Sequence, residues 1–342
     1  MASMKSIPRL PLELILHIIT CLVPSNPAAF LPLSTSSTKT LIAFTLVCRA
    51  TSPVAKRLLR QHCLSITSSS RLRDLLLCIS IQAASPSPSP DRAALRSLTS
   101  LYLAPFPPGR LDDLPTALWV RELFLTVSGT LTRLVVDMPL RSLWPADDHL
   151  DVRANLRQGF EALARLEELV CVRDELFLRV SEPEWHVDEG PPLWASAARW
   201  PRLRRLALYN ADAGAPGFWR AVGAAPRLET LVLTRADGLE EGVCPKTEYF
   251  AVADRPLTVV LVDVEARRPE GMPRWRWRDV DPEGRMRVAA YDVPTSFYGD
   301  EDEIELCQEW VKGAALRGTL WGWEHEGILL EAAPAPGQAH TG

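Results

Sequence analysis

PRLRRLAL, from Pro201 to Leu208, sets leucines at Leu203, Leu206 and Leu208, and this L-x-x-L-x-L spacing recurs with a similar lead-in in ARLEELVC (Ala164 to Cys171) and PRLETLVL (Pro226 to Leu233). Residues that alternate in a short run sit on opposite faces of a strand, so the last leucines of each copy share one face. Looser copies are LTSLYL at Leu98 to Leu103, VRELFL at Val120 to Leu125 and LTRLVV at Leu131 to Val136. A helix-like segment precedes each clear copy: Leu156, Phe160 and Leu163, then Leu193, Trp194 and Ala197, then Phe218, Trp219 and Val222. Helix alternating with strand predicts parallel pairing in an α/β fold. The leading leucines, Leu166, Leu203 and Leu228, are 37 and 25 residues apart, so the repeat is irregular.

The template resembles that of leucine-rich repeats, which implies an α/β solenoid of short parallel strands with helices outside. A compact α/β domain with coincidental L-x-x-L-x-L runs is the competing reading. In a solenoid with Leu206 and Leu208 inward, Arg205, Ala207 and Tyr209 face the concave side. The equivalent positions are Ser100 and Tyr102, Glu122 and Phe124, Arg133 and Val135, Glu168 and Val170, and Thr230 and Val232. That mixture suits protein recognition, so Tyr102, Phe124, Arg133, Glu168, Arg205, Tyr209 and Thr230 form a candidate substrate face; an ordinary solvated sheet face has the same pattern.

The amino-terminal stretch LPLELILHIITCL, Leu10 to Leu22, is apolar nearly all the way round. Wound at about 100° per residue, its polar side chains Glu13, His17 and Thr20 fall within a wedge of about 60°. A helix packed on one core needs a narrower apolar stripe, so this one needs cover on two sides. It is either the central helix of a large core or a docking helix awaiting a partner. Lys5 and Arg9 ahead of the run suggest a signal peptide, but Glu13 and His17 interrupt it and Pro8 and Pro11 break its start. Thr38 or Thr40 can cap a second helix, Leu41 to Ala50, and Ser52 followed by Pro53 is a strong start for a third, through Cys63. Three short helices of this size are marginal alone.

Leu10, Pro11, Glu13, Leu14, Ile15, Ile18 and Leu22, then Leu46, Val47, Cys48 and Arg49, then Ala55 and Leu58, together resemble the F-box, with its L-P-x-E-[IL]-[IL] opening and L-V-C-R second helix. The resemblance covers about residues 7 to 62, and the connector from Val23 to Lys39 is longer than the family's usual link. It implies binding to the Skp adaptor, and through it a cullin, of a ubiquitin ligase. The contact residues it implies are Leu10, Pro11, Leu14, Ile15, Ile18, Leu22, Leu46, Val47, Cys48 and Arg49. Helices and repeats together resemble the F-box leucine-rich-repeat proteins numerous in filamentous fungi.

The expected organisation is a three-helix module at 7–62, a linking helix and Ser/Pro-rich loop at 63–95, a repeat domain at 96–331 and a disordered tail at 332–342. In the linker, Ser70 can cap a helix with Leu72, Leu75, Leu76 and Ile79 on one face, ahead of SPSPSP at Ser85 to Pro90, a spacer or a target of proline-directed phosphorylation. The chain has 342 residues, 47% hydrophobic and 23% charged, enough for about two domains. A net charge of −4 offers no general attraction for nucleic acid or anionic membrane. Seven scattered cysteines without a C-x-x-C pair suggest neither a disulfide framework nor a zinc site, and point to a reducing cytoplasm or nucleus.

Further along, Arg274 to Val280 and Arg285 to Tyr291 flank a turn at Asp281 to Gly284, which predicts a hairpin with Trp275 and Trp277 on one face, as core or hot spot. The acidic run Asp300 to Glu305 suits a helix start ahead of Leu306, Trp310 and Val311. No phosphate loop, dinucleotide fingerprint, nucleophile elbow or H-E-x-x-H is present. His186 lies near Glu184, Asp188 and Glu189, a sketch of a metal site or a solvated loop, and Cys48 reads as a packing residue rather than a nucleophile. The expectation is a non-catalytic adaptor with no cofactor and no metal, binding the Skp adaptor at one end and an unknown protein substrate at the other. A leucine-rich-repeat scaffold acting outside a ubiquitin ligase is the alternative.

Overall fold

The computed structural model describes residues 10–26, 28–84, 98–180, 192–239, 244–264, 266, 274, 277–296, 299 and 301–330, with only the backbone at 81–84. The chain is mixed α/β around one nine-stranded sheet. Strands β1 (Ser65–Ile66), β2 (Ser100–Leu103), β3 (Arg133–Val136), β4 (Glu168–Cys171), β5 (Arg205–Tyr209), β6 (Thr230–Thr234), β7 (Leu257–Asp263) and β8 (Met286–Asp292) lie side by side in chain order, all parallel. A short β9 (Ile328–Leu329) closes the far edge antiparallel to β8.

Register converts the repeat into rows. Leu101, Leu134, Leu169, Leu206, Leu231, Val259 and Val288 are aligned neighbours on one face. They share the larger core with helices α4 (Ser69–Ala84), α5 (Leu114–Val127), α6 (Val152–Glu161), α7 (Phe218–Ala224) and α8 (Pro245–Phe250). Two of the indoles buried there are satisfied: Trp200 Nε1 donates to the Phe160 carbonyl at 3.0 Å and Trp219 Nε1 to that of Ala213 at 2.9 Å.

At the front, α1 (Leu12–Thr20) and α2 (Ser36–Val47) each pack on α3 (Thr51–His62), around Ile19, Leu41, Ala55, Leu58 and Cys63. The α2 helix starts five residues earlier than expected because the cap is Thr35, whose hydroxyl accepts from the Thr38 amide, while Thr38 is buried. Its end comes at Val47, so Cys48 and Arg49 lie past it. The α3 helix begins at Thr51, with Ser52 and Pro53 inside its first turn.

Three further expectations are corrected. VRELFL is helix, not strand: Val120, Leu123, Phe124 and Val127 bury at helical spacing in α5, which Asp113 caps with Pro115 in the first turn. Leu193–Ala195 is a single 3-10 turn rather than a helix. The hairpin at Asp281 does not form. Trp277 opens a four-residue helix, α9 (Trp277–Val280), and β8 pairs parallel with β7. The Asp281 carboxylate binds the backbone amides of Arg285 and Met286 and the Lys246 ammonium at 2.7 Å, which holds the turn between helix and strand. Trp275, the His186 group, the SPSPSP tract and the tail from 332 lie outside the described residues.

Candidate docking surface and the covered sheet face

The α1 helix turns only one flank inward. Ile19 is fully buried and Ile15, Leu16 and Leu22 are half-buried, whereas Leu10, Pro11, Leu12, Leu14 and Ile18 are exposed. At the far end of α2, Leu46 is 85% exposed and Val47 63%, followed by exposed Cys48 and Arg49. Eight of the seventeen large apolar side chains exposed among the described residues fall between Leu10 and Val47, so the excess is local to this module. The ten residues of the F-box resemblance thus divide into half-buried Ile15 and Leu22 and eight that face solvent.

The exit from α2 is fixed by one hydroxyl. Thr51 Oγ1 donates to the Phe44 carbonyl at 2.9 Å and accepts from the Cys48 amide at 3.3 Å. The same hydroxyl, 3.5 Å from Cys48 Sγ, holds that thiol below its ordinary pKa.

The second candidate surface is not open. A strap made of α10 (Glu303–Arg317), a 3-10 turn (Leu320–Gly322) and α11 (Trp323–Glu326) lies on the other sheet face. Tyr102, Val135, Val170, Ala207, Val232 and Val260 form a second core with Cys307, Val311, Ala314, Ala315, Trp321 and Trp323. The sequence reading missed this cover, although its mark is visible in TLVLT (230–234) and TVVLV (258–262), apolar on both faces.

Each proposed substrate residue already has a place. Tyr102 donates to Asp137 at 2.7 Å, and Tyr209 is buried, which pushes its hydroxyl pKa up to about 12. Arg205 pairs with Glu168 at 3.0 Å, and Glu168 also accepts from Trp321 Nε1 at 3.1 Å. Thr230 donates to Glu324 at 3.0 Å. Phe124 stands edge-on to Phe160 in the outer core, on the opposite side of the sheet. Arg133 is 8% exposed, stacked at 4.5 Å over the Phe30 ring, and burial lowers its pKa. Beside the strap, an open groove of about 800 Å³ runs between Glu324 and the starts of β5 to β7, with Arg204, Arg227 and Thr258 on its walls.

The long connector is built into this arrangement. Phe30 donates its amide to the Leu316 carbonyl at 2.7 Å, Asn26 Nδ2 donates to that of Gly318 at 2.9 Å, and the Leu31 amide reaches the His62 carbonyl at 2.6 Å. Asn26, Phe30 and Leu31 thereby tie α3 to the carboxy-terminal end of α10.

Among the described residues no group of three or more His, Cys, Asp or Glu gathers as a metal site, and no helix is long and apolar enough to cross a membrane. No family model matches the chain, and no curated protein matches it.

Proposed function

We propose that this protein is a substrate-recognition adaptor of a Skp–cullin–F-box ubiquitin ligase. One observation carries the reading: Leu10, Pro11, Leu14, Ile18, Leu46 and Val47 stay in solvent while Ile19, Leu41, Ala55 and Leu58 supply the module's core. The F-box resemblance assigns those same exposed residues to the Skp adaptor. Docking would bury them and relieve the apolar excess. The aligned leucines of β2 to β6, continued by valines in β7 and β8 of the parallel sheet, support a leucine-rich-repeat-like solenoid behind the F-box. Seven free cysteines fit a reducing cytoplasm or nucleus. As an adaptor the chain breaks no bond; it raises the substrate's effective concentration beside a charged conjugating enzyme.

Coexpression with the Skp adaptor tests this. The expected result is a stoichiometric complex on size-exclusion chromatography that Leu10→Asp with Pro11→Ala abolishes, the circular dichroism of the chain being unchanged. A wild-type chain that elutes alone, or a double variant that binds undiminished, overturns the proposal; the former outcome favours a scaffold acting outside a ligase.

A further inference from the structure

We propose that the strap, residues 301–324, is a displaceable occupant of the concave face, and that the partner it stands in for is an acidic amphipathic helix with small and branched apolar side chains on one face. Nothing in the strap's seat depends on what docks on α1 and α2.

The first ground is an imperfect fit. Arg133 Nε and Nη2, Thr234 Oγ1 and Trp310 Nε1 are buried between strap, connector and sheet without a hydrogen-bond partner. None has a protein partner in the closed arrangement, which weakens it relative to an open one that exposes these groups to bulk water. The outer core leaves orphan nitrogens too: Trp277 Nε1 has no partner there, while Arg121, Arg199 and Arg285 each keep another bond or ion pair through the same guanidinium. Among the described residues Arg133 has no such bond and no ion pair, only the Phe30 ring and the field of Glu168, whose two oxygens are engaged by Arg205 and Trp321.

Charge identifies the partner. The strap enters with Glu301, Asp302, Glu303 and Glu305, and Glu303 meets Arg235 at 2.9 Å. Past Gly318 the strap is gripped closely, Trp321 on Glu168 at 3.1 Å and Glu324 on Thr230 at 3.0 Å, but along α10 the other polar contacts to the sheet side are long: Gln308 to Arg173 at 3.5 Å and Lys312 to Asp137 at 3.9 Å. Arg133 presents the Nε–Nη2 edge that takes a carboxylate side-on, and the strap offers it none. A helix that repeats Val311, Ala314 and Ala315 on its apolar face and adds one acid opposite Arg133 would fit better than the occupant in place.

Amide hydrogen exchange on the wild-type chain is the first test. Amides of Ile304 to Arg317 are expected to exchange at least 100-fold faster than those of β3 to β7, as a locally opening unit does. Exchange of both at one common rate, through global unfolding, overturns the proposal. The second test uses full-length Val311→Asp/Ala314→Asp, which places charge only on the strap's buried face, with a fluorescent peptide of residues 301–324. The expected result is saturable binding at least 10-fold tighter than to wild type, abolished when the peptide carries the same two substitutions. A folded double variant that ignores the peptide overturns the proposal, and so does loss of the sheet's circular dichroism, which would make the strap an inseparable part of the core.

Discussion

At the scale of single residues, two buried carboxylates behave oppositely because their surroundings do. Asp174 is enclosed, accepting from the amides of Leu176 at 2.8 Å and Leu140 at 3.1 Å, with no cation on it. Burial, then the nearby Glu175, pushes its pKa up to about 7. A carboxyl whose folded pKa exceeds its unfolded value near 4 favours the fold when protonated, so its contribution fades as pH rises from about 4 to 7. Urea unfolding at pH 5, 6 and 7 should show that decline, and Asp174→Asn should flatten it while costing about 1–3 kcal/mol for the misplaced amide. Asp281 has the Lys246 ammonium and two backbone amides, which outweigh burial and hold its pKa below the carboxylate norm. Its stabilisation is present above about pH 4 and is lost as pH falls through the folded value. Lys246→Ala should destabilise the chain by about 3 kcal/mol at pH 7, read by urea titration, because it strands a buried charge. Arg133→Met removes the orphan guanidinium and should slow exchange of the strap amides, since closure then buries no unmatched donor.

At the scale of elements, the strand faces were legible where alternation met a repeating leucine, as at Leu166, Leu203 and Leu228, and illegible where one string suited two periods. VRELFL is such a string. Val120 and Leu123 satisfy a helix as well as the template, and the Asp113 cap with Pro115 decides for helix, which buries Phe124 and leaves the template's Leu125 exposed. The exposed apolar flank of α1 was readable because its surplus is a local property of the thirteen residues from Leu10 to Leu22. The strap was not, because its own sequence says only that a helix starts near Asp302, and which surface it covers is set by distant register. The polar row Ser100, Arg133, Glu168, Arg205 and Thr230 looks the same in sequence whether water or Trp321 lies above it. The joint between connector and strap turns on Gly318, at φ +72°, where a Cβ would sit 2.7 Å from Asn26 Nδ2 and 2.8 Å from the Ala28 carbonyl carbon. Gly318→Val should destabilise the chain by about 2 kcal/mol or more through strain and the lost joint, measured by denaturant unfolding.

At the scale of the whole molecule, apolar surface is spent within a core on either face of the sheet and a small one among α1 to α3, and nearly half of the exposed large apolar side chains of the described residues fall between Leu10 and Val47. Replacing Leu14 and Leu46 by Asp should therefore leave stability within about 0.5 kcal/mol per site while raising solubility, since neither side chain supports the interior. The clasp of Phe30 with Leu316 and of Asn26 with Gly318 joins residues separated by nearly the entire polypeptide. A ribosome delivers the former long before the latter. The helices at the front can associate early, but they cannot settle against the body until Leu316 and Gly318 have left the exit tunnel. A chain stalled or truncated before Glu303 would leave Phe30 without its Leu316 partner and the valines of the inner face uncovered, in the form that chaperones retain.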